Sequence, residues 1–163
     1  MRRFSRIFAW TTLFFVAGAV LFFTKAAALP YKVAWPVLLL SLATFLSRRR
    51  ELLPFGFAFL FSAAGDAVGA RGLFIPQMAF FALAHVAYVC WFLPRARRRL
   101  RAVSLAVTVP LLVFLFAAIV PEAPFPAERS GVAVYGLVIA AMLYSALQYD
   151  GACAAGFRCA ALL

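Results

Sequence analysis

"LLPFGFAFLFSAAGDAVGARGLFIPQMAFFALAHVAYVCWFL", residues 52–93, holds two apolar runs parted by an arginine and a glycine at 71 and 72. Each run approaches the ~20 residues that a helix needs to cross a hydrocarbon core of ~30 Å. A bilayer interior admits only backbones that satisfy their own hydrogen bonds, so two such runs joined by a short turn predict an antiparallel pair of membrane helices. Cutting the rest of the chain at its charge and proline clusters extends the pattern. Spans are expected at 52–70 and 73–93, at 102–120 and 132–148 beyond them, and at 7–23 and 31–46 before them. The 31–46 span reaches a useful length only if Tyr31 and Lys32 enter the membrane with it, the lysine snorkelling to the interface. Residues 151–163, "GACAAGFRCAALL", open like a seventh span, yet a helix of that length rises only ~20 Å. Either this piece is re-entrant or interfacial, or the sequence is a fragment of a longer protein; the apolar end at Leu162 and Leu163 favours the fragment. The expected fold is all-α: one integral-membrane domain, a polytopic transmembrane helical bundle of six spans plus a truncated seventh.

Composition supports that setting. With 163 residues, 67% of them hydrophobic and 13% charged, and a mean hydropathy of +1.00, the chain lies outside the range of ordinary soluble domains. Sixteen Lys and Arg against five Asp and Glu give a net charge of +11, which in a soluble protein points to nucleic acid. Here the basic residues punctuate apolar runs, so they are topology signals and no nucleic-acid partner is expected. Arg2, Arg3 and Arg6, then Arg48, Arg49 and Arg50, then Arg95, Arg97, Arg98, Arg99 and Arg101 fall on one side of the bundle. The other side takes Lys25, Lys32, Arg71 and Arg129 and the proline-rich "PEAPFPAER", so the positive-inside rule puts the amino terminus in the cytoplasm. A rival reading takes "MRRFSR" and "KAAALP" as the ends of a signal peptide, but removing that segment would invert the arginine loops. The preference for Arg over Lys and the abundance of Ala suggest a GC-rich bacterial genome, hence a bacterial inner membrane. Cys90, Cys153 and Cys159 lie in apolar sequence without CxxC spacing, which supports neither a disulfide framework nor a zinc site.

Ionisable side chains inside a bilayer are costly and mark a function, a partner or a water-filled cavity. Asp66 is the one acidic residue well inside an expected span, with Ser62 and Gly69 on its helix face. Two readings stand: a hydrogen-bonded aspartate joining helices, or a carboxyl that low dielectric keeps protonated, as a general acid requires. On the next span Gln77, Phe81, His85 and Tyr88 are spaced by four, four and three, again one face. His85 is either an interhelical hydrogen-bonding residue or part of a site. Helical rise places Gln77, rather than His85, near the depth of Asp66. Lys32 and Tyr135 approach from the same side of the membrane, the alternatives being snorkelling and an aromatic belt. Tyr144 and Gln148 are expected at the interface. A single histidine builds no multi-histidine metal site, no GxSxG, HExxH or phosphate loop occurs, and neither metal nor cofactor is expected.

"YKVAWPVLLL" at 31–40, "FSAAGD" at 61–66, "FIPQMAFFALAHVAYVCWF" at 74–92 and "VYGLVIAAM" at 134–142 together resemble the YhhN-like lysoplasmalogenases, polytopic membrane enzymes of about eight spans. Phe74, Phe81, His85 and Tyr88 fall where that family has Phe, Phe, His and Tyr. The chain departs from the pattern at Gly69, where a leucine is usual, and at Gln77, where a glycine is. The family also carries a second aspartate motif in its seventh span, which Asp150, in an interfacial "YDG", does not match. The resemblance implies hydrolysis of the vinyl ether of a lysoplasmalogen to a fatty aldehyde and a glycerophospho-alcohol. One carboxyl would protonate the alkene carbon and a second carboxylate would stabilise the oxocarbenium ion or activate water, as paired carboxylates do in glycosidases. Asp66 fits one of these roles and His85 would orient a group or water; these are the expected catalytic residues. Lys32, attracting the substrate phosphate, with Gln77, Tyr88 and Tyr135 makes up the expected substrate-binding set, and the partners are a lysophospholipid and membrane lipids. The alternative is a small proton-coupled transporter or lipid carrier in which Asp66 and His85 relay protons.

Overall fold

The computed structural model describes residues 12–13, 16–17, 19–20, 33–151 and 154–162. Among the described residues from 33 onward, six α-helices follow one another: α1 (Trp35–Leu46), α2 (Leu53–Gly69), α3 (Phe74–Phe92), α4 (Arg101–Phe114), α5 (Pro126–Leu147) and α6 (Ala154–Leu162). No strand occurs among the described residues, only one isolated bridge between Ala96 and Tyr149. With their short flanking turns, four helical stretches are long and apolar enough to cross a membrane: Arg50–Gly69, Phe74–Arg95, Arg98–Glu122 and Pro126–Leu147. The protein is an all-helical integral membrane protein. Of the other expected spans, 7–23 and the start of 31–46 fall mostly outside the described residues, and α1 is a shorter apolar helix of 12 residues.

The distribution of side chains fits lipid. Ala58, Ala84 and Ala146 are fully buried, whereas Leu46, Val113 and Phe114 are more than half exposed. Hydrocarbon gives large apolar groups no reason to hide, and small residues let helix backbones approach.

The chain divides into two compact units, residues 1–84 and 85–163. In the first, α1 and α2 form a hairpin. The buried Ser41 hydroxyl donates to the Gly56 carbonyl at 2.8 Å, and Gly56 leaves room for the Phe45 ring, which a Cβ would meet at 2.8 Å. Phe45 then stands edge-on to Phe57, centroids 5.3 Å apart. Between these helices Arg48 takes a left-handed conformation, φ 53°, directly after Ser47, whose hydroxyl caps the Thr44 carbonyl. The turn after α2 needs φ +73° at Gly72, where glycine alone is free of a Cβ penalty. The Gly72 amide closes it by donating to the Gly69 carbonyl at 2.8 Å.

In the second unit, α4 contains Pro110, which has no amide to donate, and the helix passes at its end into a π-helical segment, Leu115–Ile119. Leu115 packs on Gly136 of α5, occupying the place of any Cβ. The start of α5 corrects the expected boundary at residue 132. Pro126 stands in its first turn, where a missing amide costs nothing, and Glu128 faces the positive end of the helix dipole. Half of the supposed proline-rich loop is therefore helix. Residues 154–162 of the expected partial span are helical, as α6.

Candidate functional site

The α2–α3 turn sets the level of the polar residues in the first unit. A Cβ on Gly65 would meet Phe81 Cε1 at 3.0 Å, and one on Gly69 would run into the Gln77 carboxamide. Four residues forward on α2 thus correspond to four residues back on α3. In that antiparallel register Asp66 stands level with Phe80, within one turn of Gln77. Asp66 is half-buried, its carbonyl accepts from the Ala70 amide at 2.9 Å, and among the described residues no group bonds its carboxyl. Ser62, one turn earlier, is half-buried too. A groove of ≈ 380 Å³ runs between α1 and α2, lined by Trp35, Leu38, Leu60, Ala63, Ala64 and Ala67 together with Ala34. Its wall is almost wholly apolar, and Ala63 and Ala67 bracket Asp66 in sequence.

The second unit gathers three more of the expected residues. His85 of α3 meets Tyr135 of α5 edge to face, centroids 5.6 Å apart at 79°, and Tyr88 one turn along α3 at 6.3 Å and 81°. An imidazole with a phenol ring on each of two sides is held in orientation by quadrupole geometry. All three are half-buried. Tyr135 adjoins Gly136, the seat of Leu115, so the π-helical segment of the preceding span fixes the helix that presents it.

Residues 27–163 match the model of the YhhN family. This chain belongs to the YhhN family. No curated protein and no solved structure matches it. In this YhhN-family chain Gln77 is brought against Gly69, and His85, Tyr88 and Tyr135 are brought together. Asp66 lies in the first unit and the histidine cluster in the second, and Lys32 lies outside the described residues. Among the described residues no three His, Cys, Asp or Glu side chains stand together as metal ligands, and Cys90 is a free thiol.

Sequence reasoning missed two features. The Leu115–Ile119 π segment was signalled only by Pro110 inside the span. The other is the burial of Gln148 within the protein at the α5 C-cap: it is 3% exposed, its side-chain amide donating to the Tyr144 carbonyl at 3.1 Å and its main-chain carbonyl accepting from Arg97 N at 2.9 Å.

Proposed function

We propose that the chain is a lysoplasmalogenase-like hydrolase that cleaves the vinyl ether of lysoplasmalogens within the membrane. The observation that carries this is the YhhN match over residues 27–163, which includes a carboxyl in the last turn of α2, Asp66, with no bonding partner among the described residues. In this reading Asp66 gives its proton to the alkene carbon, and water adds to the resulting oxocarbenium ion, its released proton returning to the Asp66 carboxylate to leave a neutral hemiacetal. The hemiacetal then breaks to a fatty aldehyde and a glycerophospho-alcohol, so that one water is consumed per bond cut. His85, steadied by Tyr88 and Tyr135, orients that water. Gln77, beside Gly69, and Lys32 bind the polar end of the substrate. The apolar groove between α1 and α2 suits the hydrocarbon chain of a lysolipid entering sideways from the bilayer. The bundle has six spans, with a cytoplasmic amino terminus in a bacterial inner membrane.

The test is aldehyde release from lysoplasmalogen by the purified, detergent-solubilised protein beside Asp66→Asn. Release that disappears in Asp66→Asn, with the variant still folded, upholds the reading. Wild-type protein that is folded and inert on this substrate would leave proton-coupled transport as the better account.

A further inference from the structure

The ends of α3 and α5 are tied together within the second unit. Arg97 N donates to the Gln148 carbonyl at 2.9 Å, and Ala96 and Tyr149 form a bridge. Beside this junction lies an open cleft of ≈ 400 Å³ lined by residues 94–97 and 149–151, among them Arg95, Arg97, Tyr149 and Asp150. One lining residue is firmly anchored, since Tyr149 is 9% exposed and packs on Trp91 and Phe92 with centroids 5.1 and 5.8 Å away.

The charges around this cleft do not cancel. Asp150 is its only carboxylate, and it is already paired, with Arg99 and with Arg158 Nη2 at 3.5 Å. Arg158 also donates to the Tyr149 carbonyl at 2.6 Å. Arg95 is engaged as well, bonding the Trp91 carbonyl at 2.8 Å with its guanidinium 4.6 Å from the indole centroid. Arg97 differs. Its main chain is fixed, yet its exposed guanidinium makes no hydrogen bond or ion pair with a described residue. A fixed backbone, a guanidinium fork whose hydrogen-bond donors no described residue takes, acting on Asp150 only through its charge, and a surplus of positive charge make an oxyanion site, and the fork matches two phosphate oxygens at once.

We propose that this cleft binds the phosphate of an anionic membrane lipid, with Arg97 as its principal ligand. The source of the phosphate follows from position. The cleft opens at the end of the apolar stretch Phe74–Arg95, near Trp91 and Leu93, the latter 55% exposed. Indole and arginine together at a helix end mark the headgroup level of a bilayer, where lipid tails continue along the helix below. The assignment stands whatever reaction the protein catalyses.

Binding of a fluorescent short-chain phosphatidylglycerol to the purified protein in neutral detergent tests it, with short-chain phosphatidylcholine and inorganic phosphate as competitors. The anionic lipid should bind in preference to phosphatidylcholine, and Arg97→Gln should weaken it roughly tenfold, the effect of losing one charge-assisted hydrogen-bonded group. Arg50→Gln removes an equal charge from another loop and should leave affinity within about twofold. Arg97→Lys, which keeps the charge without the fork, should weaken binding about threefold and guards against misfolding of the glutamine variant. Equal weakening by Arg50→Gln and Arg97→Gln, or unchanged binding in Arg97→Lys, overturns the site. Inorganic phosphate that competes at the concentration of the lipid itself overturns the lipid as its source.

Discussion

The imidazole of His85 meets the ring of Tyr135 edge to face, with centroids 5.6 Å apart and planes at 79°. The contact joins α3 to α5 through aromatic geometry, so its value lies in the ring rather than in the phenol hydroxyl. Aromatic pairs of this kind contribute about 0.5–1.5 kcal/mol beyond burial, which bounds the cost of losing the ring at roughly tenfold in rate if orientation is its task. Tyr135→Phe should therefore keep aldehyde release within about threefold of wild type, and Tyr135→Ala should lower it roughly tenfold. Equal activity in the two variants would show that the ring does not position the histidine.

Gly65 answers Phe81 across the α2–α3 turn, and its replacement tests the register that sets the level of Asp66. Gly65→Val should lower stability by about 1–3 kcal/mol, the usual cost of overpacking, because the Phe81 ring 3.0 Å from a Cβ would have to move. Adding Phe81→Ala should recover part of that loss, since the two changes share one space. Thermal unfolding in detergent reads both. A double variant no more stable than the sum of the singles would place Gly65 and Phe81 out of contact.

Ser41 offers a simpler measurement in the other hairpin. Ser41 is 1% exposed and its hydroxyl bonds the Gly56 carbonyl at 2.8 Å, so Ser41→Ala should destabilise by about 1 kcal/mol. Ser41→Thr tests the space around the same bond. Thermal midpoints in detergent distinguish these variants, and an unchanged midpoint in Ser41→Ala would remove the bond from the account of how α1 holds α2.

Much of this architecture was legible in the residues. The Arg71–Gly72 interruption gave the α2–α3 turn because few dipeptides end one apolar helix and begin another, and Gly72 takes the positive φ that the turn demands. The face shared by Gln77, Phe81, His85 and Tyr88 needed only helical spacing, and two of its members proved to be the partners of Gly69 and Gly65. The early start of α5 was hidden because prolines in "PEAPFPAER" suggest a loop, although a proline in a first turn obeys the helix. The contact of Tyr135 with His85 was illegible for another reason. It depends on how α5 is rotated, and that rotation rests on Leu115 seated over Gly136 by a π segment, a long-range packing choice with no local periodicity.

Asp150 supplies the pH dependence. The hydrogen bond from Arg99, aided by the charges of Arg99, Arg158 and Arg97, holds its carboxyl below the ordinary value of 3.8, against a smaller upward push from burial. A carboxyl depressed in the folded state stabilises the fold at pH above its unfolded value, and that contribution disappears as the pH falls through the depressed folded value. At pH 7 the wild type should therefore unfold at a higher temperature than Asp150→Asn. The difference should narrow below about pH 4 and vanish once the folded carboxyl is protonated. Because the Arg99 partner is largely exposed, salt should shrink the neutral-pH difference as well. Thermal unfolding of the two proteins at pH 7 and pH 3, each at low and high salt, measures this directly. A difference that keeps its size in acid would mean that Asp150 acts through its shape, and that its pairing with Arg99 and Arg158 contributes nothing to the fold.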